Sequence, residues 1–161
     1  MIDARFLDVL RKLSTELKGT DVNWAIGGSL GLALRGAPFH PHDIDILTDR
    51  VGAYAIQRIF SDCVTREVSF RTSETVRSHF GALDIDGVKV EIIGDFQARR
   101  PNEDWGDPPD IKALGRTIRF GDLDLPVLPL EWERQSYSRL GREDRAAAIS
   151  EFLSKSPPGV S

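Results

Sequence analysis

FGALDIDGVKVEII, residues 80–93, is the stretch from which the rest of this chain can be read. Asp86-Gly87 divides it into two largely aliphatic runs, and an Asp-Gly pair in that setting signals a two-residue hairpin turn. Pairing outward from the turn sets Ile85 opposite Val88, Asp84 opposite Lys89, Leu83 opposite Val90 and Ala82 opposite Glu91. Side chains alternate along a strand, so one face of this hairpin is wholly aliphatic. The other face carries an expected Asp84–Lys89 charge pair, with Glu91 beside it and the small Ala82 leaving room above.

Working upstream, HDIDILT (42–48) alternates polar and apolar residues and predicts a half-buried strand. Val51 to Phe60 reads as a helix and Val64 to Phe70 as another strand. Before them, Val22 to Ile26 is a short buried strand that stops at Gly27-Gly28-Ser29, and Leu30 to Leu34 resumes helical spacing until Arg35-Gly36-Ala37-Pro38. Phe6, Leu10, Leu13 and Leu17 give residues 2–18 an amphipathic helical stripe that Gly19 ends. Downstream, 97–110 is a loop rich in Pro, Gly and charge. Thr117–Phe120 and Leu123–Leu128 form a second, weaker hairpin, and Glu131–Leu140 and Arg142–Leu153 two helices broken near Gly141. Strands and helices alternate without a break in composition. The expected fold is therefore α/β (α+β): a mixed, mostly antiparallel sheet with carboxylates on one face, helices on the other, and C-terminal helices. It is expected to form one domain over residues 1–155, its C-terminal helices spanning 130–154, with 156–161 a frayed tail.

The chemistry sits on the strands. Asp43 and Asp45 are two residues apart, so both carboxylates project from one face while Ile44 and Ile46 point into the core. Like charges that close repel, and a divalent cation is the usual compensation. Glu91, on a neighbouring strand, is the candidate third ligand. Gly27, Gly28 and Ser29 lie where a buried strand turns into a helix; glycines admit a ligand close to the backbone, and helix-start N–H groups attract phosphate oxygens. Taken singly, Asp-Ile-Asp reads as a solvated strand face and Gly-Gly-Ser as an ordinary turn with Ser29 as N-cap. Other glycine patterns fail: G-x-G-x-x-G is absent, and the Walker-like spacing Gly31 to Gly36 is followed by Ala37 where a lysine is required.

Composition narrows the class. With 161 residues, 40% hydrophobic and 29% charged, the chain is globular. No apolar run approaches the ~20 residues of a membrane span, and MIDARFLDVLRKL lacks the pattern of a secretory signal. A single cysteine, Cys63, excludes an internal disulfide and fits a cytoplasmic location, where packing is its expected role. The net charge of −4 disfavours a nucleic-acid polymer as partner.

Gly27-Gly28-Ser29, thirteen intervening residues, Asp43-Ile-Asp45 and then Val90-Glu91-Ile92 together resemble the polymerase-β-type nucleotidyltransferases. Within them, GGSLGLALRGAPFHPHDIDILTD is most similar to the small lincosamide and aminoglycoside adenylyltransferases and to toxin-type nucleotidyltransferases. LPVLPLEWERQSYSRLGREDRAAAISEFL is similar to their helical tail. The resemblance implies an Mg2+-dependent enzyme that transfers a nucleoside monophosphate from ATP or another nucleoside triphosphate to a small-molecule hydroxyl. Two ions would lie on Asp43, Asp45 and Glu91, with Gly27, Gly28 and Ser29 at the phosphates. Glu91 stands where relatives more often have Asp, and would take the acceptor's proton. Relatives carry lysines near Ser138-Arg139 and Glu143-Asp144; Arg139, Arg142 and Arg145 are the substitutes here. The same resemblance admits a toxin-type acceptor, a protein or tRNA end, and a catalytically silent nucleotide-binding module. The acceptor and the oligomeric state, a homodimer included, stay open at this level.

Remaining residues are assigned structural roles. His40 and His42 do not complete H-x-H-x-D-H, because Ile44 and Asp45 occupy the last two places. Trp105 is expected to pin its loop, Asp84 to be neutralised by Lys89, and Arg99 and Arg100 to be solvated.

Overall fold

The computed structural model describes residues 2–155; Met1 and the tail expected to fray lie outside the described residues. Helix α1 (Ala4–Leu17) opens with the Asp3 carboxylate accepting the Arg5 N–H at 2.9 Å, and its buried face is Phe6, Val9, Leu10, Leu13 and Leu17. Gly19, at φ +79°, turns the chain after it. There follow β1 (Trp24–Gly27), α2 (Gly28–Leu34), β2 (Ile44–Thr48), α3 (Arg50–Ile59), β3 (Val64–Thr72), β4 (Val76–Ile85) and β5 (Val88–Ala98). The chain continues through α4 (Ile111–Leu114), β6 (Arg116–Phe120), β7 (Leu123–Val127), α5 (Leu130–Arg139) and α6 (Glu143–Lys155).

The strands make one seven-stranded sheet in the order β3-β4-β5-β2-β1-β7-β6. Neighbours are antiparallel except for β2 beside β5 and β1 beside β7. It is the mixed, mostly antiparallel sheet that the sequence implies. The β4–β5 register is the one read from the turn: Ile85 faces Val88, Asp84 faces Lys89, Leu83 faces Val90 and Ala82 faces Glu91. Asp86 (φ +53°) and Gly87 (φ +83°) both take the left-handed conformation that so tight a turn demands.

One face of the sheet, with Ile26, Ile46, Ile92, Ile44, Val90 and Leu83, packs against α1 and α3 in the main core. Helix α3 is drawn close where Gly94 passes beneath it; a Cβ there would stand 2.8 Å from both the Ala53 Cβ and the Asp49 carbonyl oxygen. The opposite face is partly covered as well. Ala25, Leu47 and Ile93 meet Ile111 and Leu114 of α4, and Phe96 packs edge-on to Trp132 of α5. A third cluster joins Leu32 of α2 and Ala37 to Leu130 of α5 and Ile149 of α6. The helical tail is thereby fastened over the β1–α2 turn. None of the described helices is long and apolar enough to cross a membrane.

Gly87→Ala is expected to destabilise the protein by about 1–2 kcal/mol, the cost of a side chain in the left-handed region. Urea denaturation would measure it, and the midpoint should fall with an unchanged slope.

Candidate functional site

Register builds the site. Gly27 of β1 lies opposite Asp45 of β2, Asp45 beside Glu91 of β5, and Glu91 opposite Ala82 of β4. Directly paired residues share a face, so one row across four strands reads Gly27, Asp45, Glu91, Ala82. Two acids stand at its centre with two small residues at its ends. Asp43, expected within the 42–48 strand, instead joins them from the bend one residue before β2 begins. One carboxylate oxygen from each of Asp43, Asp45 and Glu91 lies within 4.8 Å of the others, and all three residues are half-buried.

The electrostatics of this cluster follow from crowding. Burial raises the Asp43 carboxyl, and the neighbouring Glu91 charge raises it further. Asp45 is pushed from an ordinary 3.8 up to about 7, first by burial and then by Asp43 and Glu91. Its Oδ1 is buried and has no hydrogen-bond partner. An acceptor left so is costly, which is the reason that buried polar atoms are nearly always paired. A hard cation with oxygen ligands would satisfy it, and three carboxylates are the donor set such an ion takes. Lys89 supplies partial compensation: its Nζ is 2.8 Å from the Glu91 carboxylate.

That contact corrects one sequence expectation. Lys89 does not pair with Asp84, although the two are direct neighbours in register. The Asp84 Oδ1 instead accepts the Gly87 N–H at 2.9 Å and closes the hairpin turn. The lysine leans along its own strand toward the acidic cluster.

The glycine turn is shaped by Asp45. Gly28 has φ +64°, and a Cβ on it would lie 2.3 Å from Asp45 Oδ2, so a side chain there would displace the acid. Gly27 is the N-cap of α2 and has no side chain with which to cap it; Ser29 sits within the first turn, not at the N-cap. The Ser29 hydroxyl accepts a hydrogen bond from Arg145 Nη1 at 2.8 Å. Of the three arginines considered as substitutes for the relatives' lysines, Arg145 is the one brought to this turn. Its guanidinium also lies 5.5 Å from the ring centres of Phe39 and of Tyr137. Arg142 pairs with Asp144.

Glu133 was not singled out from the sequence. It is only 3% exposed, and its Oε1 accepts the Gly28 N–H at 3.1 Å. Burial drives its carboxyl up to about 8, against the opposing pull of the Gly28 N–H and of Arg35. A signal was there to find: Glu133 stands between Leu130 and Tyr137 at spacings of three and four, a core position in an amphipathic helix.

The loop that follows β5 is held firmly. Trp105 lies between the guanidinium groups of Arg77 and Arg99, 4.5 and 4.2 Å from its ring centre. The loop is pinned there, and Arg99 is engaged, not solvated; its Nε also donates to the Glu74 carbonyl oxygen at 2.8 Å. Between this loop and α5 a cavity of about 70 Å³ is bounded by Phe96, Ala98, Gly106, Trp132, Gln135 and Arg139.

The raised Asp45 value fixes the sign of a pH effect. A carboxyl that ionises near 7 when folded and near 3.8 when unfolded favours the protonated folded state, so its contribution to stability is complete below 3.8 and is lost as pH rises to 7. In the absence of divalent cations, Asp45→Asn should melt with the native protein at pH 3.5. It should melt about 5 °C or more above it at pH 8, as read by calorimetry.

Known proteins are similar to this chain to different degrees. The family model for aminoglycoside-2''-adenylyltransferase matches residues 9–152. A Thermotoga maritima protein described as a candidate nucleotidyltransferase is 46% identical, with 97% of each chain covered and a TM-score of 0.83. The lincosamide antibiotic adenylyltransferase LnuA, solved with lincomycin, shares the fold at 13% identity and TM-score 0.55, covering 92% of this chain and 97% of its own. ANT(2'')-Ia, solved with adenylyl-2''-tobramycin, does so at 11% identity and TM-score 0.53, covering 94% and 98%. Among curated proteins, none matches the sequence significantly. The match spans the sheet, the acidic row and the helical tail alike. The chain is a nucleotidyltransferase of the polymerase-β type and belongs to the aminoglycoside-2''-adenylyltransferase family.

Proposed function

We propose that this protein catalyses Mg2+-dependent transfer of a nucleoside monophosphate, from ATP or another nucleoside triphosphate, to a hydroxyl of a small-molecule acceptor. The observation that carries the reading is the convergence of Asp43, Asp45 and Glu91 around a buried, unpartnered Asp45 oxygen. Asp43, Asp45 and Glu91 would hold magnesium, which would stabilise the charge that develops on the attacking and leaving oxygens of an in-line displacement. The chain's own residues divide the remaining work. Glu91 is half-buried beside Asp45 and takes the proton from the acceptor hydroxyl. That oxygen then bonds to the α-phosphorus while the bond to the β-phosphate breaks and pyrophosphate leaves. Gly28 keeps the turn free of side-chain bulk. The Ser29 hydroxyl and the Arg145 guanidinium bind the outgoing phosphates, and Gly28, in the left-handed conformation, makes the turn after the extended Gly27 that admits them.

A small acceptor fits several features. LnuA was solved with lincomycin and ANT(2'')-Ia with an adenylylated tobramycin. The net charge of −4 gives no general attraction for a polyanion.

Calorimetric titration should detect ATP or another triphosphate binding only with Mg2+ present; no such binding at millimolar concentrations would overturn the proposal. Glu91→Gln, which removes a metal-binding carboxylate and the proton acceptor together, should slow pyrophosphate release at saturating nucleotide and Mg2+ by at least the roughly 10²–10⁴-fold expected for a missing general base. Arg145→Ala should weaken triphosphate binding by roughly tenfold or more, the value of a charge-assisted hydrogen bond.

A further inference from the structure

Glu133 stands on the buried face of α5 with Leu130, where an amphipathic helix ordinarily places leucine or alanine. A carboxyl in that place needs a partner, and it has one in the Gly28 N–H at 3.1 Å. The contact is close in a second sense, because a Cβ on Gly27 would come within 3.1 Å of the same Glu133 oxygen. Around it, Arg35 donates its Nε to the Gly31 carbonyl oxygen at 3.1 Å, and its two terminal nitrogens are buried without hydrogen-bond partners. Arg35 thus acts on Glu133 as a nearby positive charge without touching it. The groups facing Glu133 are therefore Gly27 and Gly28 from the turn, Arg35 from the end of α2, Asp45 from β2 and Tyr137 from its own helix.

The first N–H groups of a helix have no partner within it. In α2 the first of them, that of Gly28, is committed to Glu133. That commitment fixes the peptide plane joining Gly27 to Gly28. Gly28 has φ +64° and no side chain to hold it, and Asp45 Oδ2 lies against it. Rotation of that peptide would move the next N–H groups of the turn and the space that Asp45 occupies together.

We propose that Glu133 is a positioning residue for the phosphate-binding turn: its carboxyl oxygen locks the Gly27–Gly28 peptide so that the Ser29 end of the turn and Asp45 are held ready for a metal-bound triphosphate. The inference rests on the nucleotidyl-transfer reading of the same site. What Glu133 supplies is a hydrogen-bond acceptor at a fixed place, so Gln can replace it and an apolar side chain of similar size cannot.

The test uses Glu133→Gln and Glu133→Met in the full chain, with Mg2+ and a non-hydrolysable ATP analogue titrated calorimetrically. Glu133→Gln should bind within threefold of the native protein, and Glu133→Met about tenfold or more weakly, although its melting temperature is unchanged or raised. A purely structural role would show the opposite link, with loss of binding tracking loss of stability. Amide exchange adds a readout that needs no ligand: the Gly28 N–H should exchange about tenfold or more faster in Glu133→Met, with β4 and α3 unaffected. Equal affinity in all three proteins would overturn the inference, as would equal losses in the Gln and Met variants. If Met is not tolerated, Leu replaces it, and Gly28 protection in the Gln variant still decides; rapid exchange there overturns the proposal. Absence of Mg2+-dependent binding in the native protein would instead overturn the nucleotidyl-transfer reading, leaving Gly28 exchange to judge Glu133 separately.

Discussion

The parallel pairing of β2 with β5 is the constraint on which the site depends. It places Asp45 directly beside Glu91 on one face of the sheet and Ile46 beside Ile92 on the other. Slipping either strand by one residue would turn its acid toward α1 and α3 and its isoleucine outward, and part the two acids. Packing of Ile44, Ile46, Val90 and Ile92, all almost completely buried, therefore holds two like charges where they repel. Hydrophobic burial on one face supplies the free energy that the polar face costs.

The acidic face relieves its repulsion in two partial ways. Asp45 holds a proton more readily than an ordinary carboxyl, and Lys89 leans along its strand to Glu91. Neither reaches Asp45 Oδ1, which stays without a donor. This local dissatisfaction sits at the centre of the row Gly27, Asp45, Glu91, Ala82, whose Gly27 end is closed by Leu47 and Glu133.

Above the row, the C-terminal helices are more than a cap. Leu130 and Ile149 fasten α5 and α6 to α2, so two polar side chains can reach the glycine turn from the helical tail. Glu133 meets its backbone from the buried side and Arg145 its serine from the accessible side. On the far side of α5, Trp132 packs on Phe96, and the following loop is clamped through Trp105 between two arginines. An irregular segment is thus held by cation–π contacts where no ladder of backbone hydrogen bonds exists to hold it.

The sequence by itself determined most of the elements, though not α4 or the outer ends of β4 and β5, and most of the acidic site, because those features are local. Asp86-Gly87 sets the β4–β5 register through the backbone conformation that a two-residue turn requires, and that register alone puts Glu91 opposite Ala82. Alternation places Asp45 and Ile46 on opposite faces of β2. Only the tertiary structure decided which strands became neighbours: β2 pairs with β5 and β7 with β1 across long connections, and no local pattern encodes such a choice. The same holds for Lys89, whose partner was settled by the field of a cluster assembled from two separate segments. It holds above all for Glu133 and Arg145. They lie more than a hundred positions from the turn they touch, and their roles exist only once hydrophobic packing has carried α5 and α6 back over it.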